Sequence, residues 1–290
     1  MNPKVSVVMA VKNEERFIAS AIRSVLSQEV SDIELIVVDD SSTDSTVDIV
    51  KSIVLADNRV VLKLNPLSGK VSAFKHGYEL AQGEYTALFA GDDIMPPGSL
   101  AKRLADIGEM KSPSVLMSKI RVLSEDKKIN GMLIPKKKGQ GNPSGASIMF
   151  DKEAAKYLMD IPDALPNEDT WMDFCITYLP MLHVKSHDDV SCFWRVHLGN
   201  SITIRDDFQS FNKKFSSRMN VIHKFLKKYR EILPENRISY LEKLASAEEY
   251  RRKGQWLNIL FFNIALSDKA RFLAYSNKYL YNLRKSIRAI

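Results

Sequence analysis

The first half of the chain predicts an α/β fold, a mainly parallel sheet with helices on both faces. Short apolar runs rich in Val and Ile alternate with segments of helical periodicity, in the order βαβαβαβ, over residues 5–89. Connections of that order build parallel βαβ units. Three polar clusters, Lys12-Asn13-Glu14, Asp39-Asp40 and Asp92-Asp93, each follow an apolar run. They fall at the carboxyl ends of strands, where such sheets bind ligands.

Each element has a local reason. Val5 to Val11 is a β-rich run, and Asn13 is placed to cap a helix with Glu14 and Glu15 in its first turn. Phe17, Ile18, Ala21, Ile22, Val25 and Leu26 recur at helical spacing and form one apolar stripe. Ile33 to Val38 is the second strand. The turn Ser41 to Asp44 opens a helix containing Val47, Ile49, Val50 and Ile53. Val60 to Leu64 is a short strand, 70–82 a helix and Tyr85 to Phe89 a buried strand. Pro96-Pro97 opens a helix to about Met110, and Val115 to Leu123 is a further strand. Glu125 to Pro143, with Lys136-Lys137-Lys138 inside it, reads as a long loop of the length that is often functional. Gly145 to Phe150 reads as a strand, Asp151 starts a helix, Glu168 to Tyr178 is helical, and Val190 to Val196 is a last strand. Beyond Asp206 the chain turns helical and basic. Leu241 to Lys253 and Gln255 to Leu266 read as two helices joined at Gly254. The expected domains are 1–205 and 206–290.

Composition narrows the class. The 290 residues are 45% hydrophobic, as in a protein that buries a real core. Two cysteines, Cys175 and Cys192, make neither a disulfide framework nor a four-ligand zinc site, so a reducing cytoplasm is the expected compartment. Residues 1–8 lack the features of a signal peptide. The longest apolar candidate, Trp256 to Leu266, is too short to span a membrane and is interrupted by Asn258 and Asn263. Net charge is uneven: residues 1–205 carry 24 Lys and Arg against 27 Asp and Glu, whereas 206–290 carry 18 against 8. The basic part suggests an anionic partner surface, membrane or nucleic acid, or simply a solvated basic face.

Asp92-Asp93 after the run Tyr85-Thr86-Ala87-Leu88-Phe89 is the most chemically pointed feature. Carboxylates there are costly without a cation or other partners, and hard oxygen ligands suit Mg²⁺ or Mn²⁺ together with substrate phosphates. His183 and His187 lie in extended surroundings, which spoils a helical metal pair, and no Gly-rich Lys-Ser/Thr loop or Gly-x-Ser-x-Gly elbow is present.

The order of these clusters resembles the inverting nucleotide-sugar glycosyltransferases of family 2. The resemblance spans residues 4 to about 203. It runs through Val5 to Glu14, Ile36-Val37-Val38-Asp39-Asp40-Ser41 to Thr46, Gly83-Glu84-Tyr85, Asp92-Asp93, Pro97, Asn167-Glu168-Asp169 and Trp194-Arg195-Val196-His197 to Thr203. It implies a GT-A, Rossmann-like sheet plus a C-terminal helical extension. It implies transfer of a sugar from a nucleoside diphosphate, uridine or thymidine, to a hydroxyl of a glycan or lipid-linked acceptor in cell-surface polysaccharide synthesis. The implied cofactor is Mn²⁺ or Mg²⁺. Asp169 matches the general base and Glu168 its neighbour. Asp40 matches the base-reading carboxylate, supported by Asp39. Ala10, Lys12, Glu14, Lys70, Lys75, Asp92 and Arg195 fall on the donor side, and Asp93, Asp92 and His197 match the metal ligands. The acidic residue that relatives often carry two positions earlier is Ala90 here, which reduces the motif to Asp-Asp. Trp171 is placed either to face an acceptor sugar or to pack in the core. The basic region, with Trp256 to Ile264 and Arg251, Arg252, Lys253, Lys269, Arg271, Arg284, Lys285 and Arg288, either packs as a bundle or lies on anionic lipid at the inner face of the plasma membrane. Competing readings are a catalytically silent partner subunit, a basic nucleic-acid-binding protein, and a nucleotidylyltransferase, which would need a Gly-rich signature where Lys12-Asn13-Glu14-Glu15 stands.

Overall fold

The Val- and Ile-rich runs become the parallel part of the sheet; the inner ones, apolar on both faces, sit between two layers of helix, and the short third run forms the half-exposed edge. They are β1 (Val5–Val11), β2 (Ile33–Asp39), β3 (Val60–Leu64) and β4 (Tyr85–Ala90), all parallel. Beyond β4 the sheet turns mixed. β7 (Ile148–Asp151) pairs antiparallel with both β4 and β5 (Ser114–Ser124), and β6 (Leu133–Ile134) pairs antiparallel with β5. The order is β3-β2-β1-β4-β7-β5-β6, and β8 (His183–Val196) pairs parallel with β5. The structure, a computed structural model, describes residues 2–197 and 207–288, with side chains to 285. The stretch from Leu198 to Asp206 lies outside the described residues, and with it the Leu198–Thr203 end of the last motif and the expected boundary at 205/206. The chain divides into two compact units, residues 1–198 and 199–290.

In the first unit, α1 (Ile18–Leu26), α2 (Thr46–Ala56), α3 (Lys70–Leu80) and α4 (Ser99–Gly108) follow β1 to β4 in turn. Ile18, Ala21, Ile22 and Val25 are all fully buried, together with Val5, Val7 and Met9 of β1 and Leu35 and Val37 of β2. Val8 and Val38 face the other side, where Gly77 of α3 lies so close that a β-carbon would come within 2.4 Å of Val8 Cγ1. A glycine there lets the helix pack directly on the sheet. The expected Asn13 cap does not form: α1 starts five residues later, and Asn13 has φ 56°. The expected strand at Gly145 is a single 3₁₀ turn (Gly145–Ser147) before β7, and β8 begins at His183 rather than Val190. α5 (Lys152–Leu158) is capped by Asp151, which accepts from the Ala154 N–H at 2.7 Å, and α6 is Glu168–Tyr178.

The second unit is helical: α7 (Phe208–Met219), α8 (Val221–Tyr229), α9 (Glu235–Arg252), α10 (Trp256–Leu260), α11 (Leu266–Ala274) and α12 (Lys278–Arg288). The helix expected over 255–266 stops after five residues, and a turn precedes α11. Arg251, read from sequence as part of a basic face, is buried. Its guanidinium pairs with both Glu248 oxygens, donates to Ser216 and stacks 4.9 Å from the Phe215 ring centre. A buried guanidinium is tolerable only with such a set of partners. No helix among the described residues is long and apolar enough to cross a membrane.

Candidate active site

β1 and β2 run in register from Val5–Ile33 to Val11–Asp39, so the loops that leave them emerge side by side. Those loops interlock. Asn13 N–H donates to Ser42 Oγ (2.8 Å), Asn13 Oδ1 accepts from Thr43 N–H (2.8 Å), and Glu14 N–H donates to Thr46 Oγ1 (2.7 Å). Glu15 and the Asp44–Ser45 turn exchange two more bonds. This is why Asn13 does not cap α1: both its backbone and its side chain are given to the neighbouring loop. Asn13 and Ser41 (φ 62°) are the two non-glycine residues with positive φ among the described residues, and both lie in this pair of loops.

Asp39 supports the turn. Its Oδ2 accepts from Ser42 N–H at 3.0 Å, while Oδ1 is buried without a hydrogen-bond partner. Asp40 Oδ1 accepts from Gly69 N–H and Asn65 Nδ2, both at 2.8 Å, and its Oδ2 stands 3.6 Å from Lys12 Nζ. Burial alone would push the Asp40 carboxyl up. The Gly69 N–H, the Asn65 amide and the Lys12 ammonium outweigh it and hold the group below its ordinary value.

The end of β4 lies beside the same loop. A β-carbon at Gly91 would sit 2.7 Å from Val11 Cγ1 and 3.3 Å from Glu14 Cγ, so only glycine admits loop one this closely. Glu14, Asp92 and His197 each bring one ligand atom within 4.8 Å of the others, and His197 Nε2 is 3.2 Å from Asp92 Oδ2. Two carboxylate oxygens and an imidazole nitrogen are a donor set that fits Mn²⁺ or Mg²⁺, the nitrogen suiting Mn²⁺ better. Burial first, then Asp92, Asp93 and Asp44, push the Glu14 carboxyl up to about 8. Asp93 lies deeper. Its Oδ1 accepts from Arg195 N–H (2.8 Å), the Cys192 thiol also donates to it, and burial and Asp92 raise it well above the carboxylate range. The ligand-distance cluster therefore contains Glu14, read from sequence only as a donor contact, where the sequence reading had Asp93.

Asp169 and Glu168 open α6. Gly145 N–H donates to Asp169 Oδ1 at 2.7 Å, and a β-carbon at Gly145 would meet Glu168 Oε1 at 3.4 Å. Glu168 is buried and pairs with Lys70 Nζ at 2.7 Å. Burial and Asp169 raise its carboxyl, while Lys70 opposes that shift. Burial lowers the Lys70 ammonium, but Glu168, Asp169 and Asp92 together raise it above its ordinary value. One lysine thus feels both the α6 carboxylates and the β4 end.

Other expected residues take different positions. Trp171 is fully buried and donates from Nε1 to Tyr157 O (2.9 Å), so it packs in the core and offers no face to a sugar. Glu168 faces Lys70 and is 1% exposed, which rules it out as an acceptor contact in this arrangement. Lys75 bonds to Asp163 (2.7 Å) and Ile161 O (3.3 Å), away from the Asp40 partners. Ala10 is half-buried on β1, between Val38 and Ala90. Arg195 donates from Nε to Asp92 O (2.8 Å) and lays its guanidinium 4.7 Å from the Phe17 ring centre. His197 meets the same ring at 4.7 Å. Phe17, read as part of a core stripe, is half-buried and serves as the platform for both. Asn65, and the contacts of Gly145 and Cys192 with the site carboxylates, also escaped the sequence reading. Only Asn65 carried a signal, as a polar residue directly after a strand.

The sequence description of glycosyl transferase family 2 matches residues 6–153. A curated relative from Campylobacter jejuni, "GalNAc(5)-diNAcBac-PP-undecaprenol beta-1,3-glucosyltransferase", is 30% identical over 109 residues, covering 37% of this chain and 35% of that protein. Staphylococcus aureus TarS 1–349 in complex with UDP-GlcNAc superposes with a TM-score of 0.63 at 17% identity, over 94% of this chain and 80% of the other. The mannosyltransferase PcManGT of Pyrobaculum calidifontis, in complex with GDP-Man and Mn²⁺, gives 0.59 at 16% identity, over 100% and 80%. These neighbours carry the GT-A fold. The chain spans roughly two fifths to two thirds of the length of several curated relatives that it matches. With more than half of its length matched by the family description and a sheet of the corresponding fold, the chain belongs to glycosyl transferase family 2.

Proposed function

We propose that the protein is a metal-dependent, inverting glycosyltransferase. It moves one sugar from a uridine or thymidine diphosphate to a hydroxyl of a lipid-linked glycan in cell-surface polysaccharide synthesis. The observation that carries this reading is convergence. Asp40, the Glu14–Asp92–His197 cluster and the Lys70–Glu168–Asp169 group lie at the carboxyl ends of β1, β2, β4 and β8 and the starts of α3 and α6.

The base preference follows from hydrogen-bond order. The Asn65 amide and the Gly69 N–H both donate to Asp40 Oδ1, which leaves Oδ2, 3.6 Å from Lys12 Nζ, as the acceptor for a base N–H. One open acceptor matches the single N–H on the edge of uracil or thymine. Guanine presents two adjacent donors and needs two free acceptors, whereas Asp40 Oδ1 already takes two bonds.

In the transfer, the bond from the anomeric carbon to the diphosphate oxygen breaks as the acceptor oxygen bonds to that carbon. Asp169 takes the hydroxyl proton, with Gly145 fixing its orientation through Oδ1. Retention by double displacement needs a second carboxylate as nucleophile. Glu168 is buried and paired with Lys70, which supports single displacement and inversion. Lys70 and Arg195 add positive charge beside the leaving diphosphate. Glu14, Asp92 and His197, backed by Asp93, would hold a divalent ion, which would neutralise the charge developing on that group. The name of the Campylobacter relative supports a polyprenyl diphosphate carrier for the acceptor, and with it an enzyme that works beside a membrane.

The test is thermal stabilisation by a panel of nucleotide sugars with Mn²⁺, followed by turnover. Uridine or thymidine donors should raise the melting temperature and GDP-sugars should not. Asp169→Asn should lower kcat about 10²–10⁴-fold with that stabilisation intact. Loss of donor stabilisation in the variant would remove Asp169 from the base role.

A further inference from the structure

We propose that the segment from α10 to the start of α11, Trp256 to Leu266, is a docking surface for an anionic lipid bilayer. Five large apolar side chains project from these eleven residues: Trp256 is 40% exposed, Leu257 56%, Leu260 43%, Phe261 86% and Leu266 82%. They are held outward by built anchors. Ile259 and Ile264 are buried, and Phe262 packs on Tyr250 with ring centres 5.7 Å apart. Lys269 Nζ donates to Leu260 O at 2.9 Å and so fixes a cation at the carboxyl end of α10. Arg252, Lys253 and Arg271 are exposed on either side in sequence. From Tyr250 to Ser267 there is no Asp or Glu.

The charge selects the occupant. Residues 206–290 hold 18 Lys and Arg against 8 Asp and Glu. Two copies of a region with a net charge of +10 repel one another, whereas an anionic leaflet attracts it. Large apolar groups with Trp among them, flanked in sequence by Lys and Arg, match the boundary between headgroups and acyl chains. The purpose of the surface rests on the lipid-linked acceptor proposed above. Its existence rests on these side chains alone.

The experiment is vesicle flotation of the full chain. One set of vesicles is phosphatidylcholine alone, and the other is a one-to-two mixture of phosphatidylglycerol and phosphatidylcholine. The wild type should float with the mixed vesicles at low salt and much less with the neutral ones. Trp256→Ser combined with Phe261→Ser should lower partitioning about tenfold or more, because exposed apolar groups drive insertion. Both positions are exposed, so the variant should keep its melting temperature and its donor-induced stabilisation. Trp171 is buried and Trp194 half-buried, so a vesicle-induced blue shift in Trp emission should vanish in Trp256→Phe while flotation persists. No flotation of the wild type, or equal flotation of the double variant, overturns the proposal. So does self-association, or retention by DNA in place of vesicles, that the double variant abolishes. Flotation without any nucleotide-sugar response would leave the surface standing and sink the transferase reading.

Discussion

Two corners of the sheet edge handle their carboxylates in opposite ways. At the end of β2, Asp40 is already satisfied: Gly69, Asn65 and Lys12 surround it, and its carboxyl is held below the ordinary range. At the end of β4, Glu14, Asp92 and Asp93 crowd together, with Glu14 pushed up to about 8 by burial and its acidic neighbours. The first corner has the chemistry of a preorganised reader, stiff and little dependent on counter-ions. The second has the chemistry of a cation site, in which like charges approach closely enough to need a proton or a metal between them. The two share one piece of chain, Lys12-Asn13-Glu14, whose ends point to different corners.

The sharpest way to break this contrast is to remove the cation. Chelation, or Asp92→Asn, should lower turnover by about 10²–10³, the scale seen when one electrostatic stabiliser of a transition state is lost. Mn²⁺ binding, followed by its paramagnetic resonance signal, should weaken in the same variant. Turnover indifferent to chelator would dissolve the difference between the corners. Asp40→Ala should act through affinity. The donor KM should rise about 10–100-fold, the cost of roughly 1.5–3 kcal/mol for a lost hydrogen bond to a charged group, with kcat less affected. The preference for uridine over guanosine nucleotides in competition should shrink in the same variant. A variant that loses kcat and keeps KM would place Asp40 nearer the chemistry than its geometry suggests.

Much of the first corner was legible in the sequence because it is local. Apolar runs of five to seven residues announce parallel strands, and the acidic pairs that follow them fall at carboxyl ends by construction. The second corner depends on contacts across long sequence gaps. His197 comes to Asp92 from 105 residues away, and Phe17 joins both His197 and Arg195. Nothing in the helical spacing of Phe17 separates a platform from a core position. Glu14 looked like first-turn charge on a helix. The left-handed backbone at Asn13 delays that helix, and the absence of a side chain at Gly91 lets Glu14 reach β4. Trp171 was open in the sequence: an aromatic beside a candidate base can face a sugar or pack in the core, and its indole faces inward onto Tyr157 O.

Phe17 offers a gentler test. Its ring carries the Arg195 guanidinium over its face and meets the His197 imidazole in a tilted contact, each of a kind worth about 0.5–1.5 kcal/mol. Phe17→Leu keeps apolar bulk and loses the π face. Mn²⁺ affinity and donor KM should worsen about 3–10-fold, with the fold intact and kcat changed less. Phe17→Tyr, which keeps the ring, should restore both. If leucine serves as well as tyrosine, Phe17 is only packing.

The smallest effect concerns pH, and it distinguishes the corners without any turnover measurement. The Glu14 carboxyl is raised from an ordinary 4.5 to about 8 in the folded chain. Between those values the folded protein holds a proton that the unfolded chain has released, so stability falls as pH rises. The contribution is fully present below 4.5 and gone above about 8. Glu14 is partly exposed, so screening reduces the effect to about 1–2 kcal/mol. That is about 2–6 °C in melting temperature between pH 5 and 8 for a domain of this size. Glu14→Gln should flatten most of that slope, leaving the share that belongs to Asp93, and should melt later than wild type at pH 8 in chelator. Mn²⁺ takes the place of the proton, so adding it at pH 8 should recover the loss in wild type and do little for the variant. Asp40 behaves in reverse. Its lowered carboxyl contributes stability above its ordinary 3.8 that is lost only as pH falls through the depressed folded value, so it adds no slope near neutrality. A melting temperature that stays level from pH 5 to 8, with and without Mn²⁺, would mean that the β4 carboxylates are as well satisfied as Asp40, and the distinction between the corners would fail.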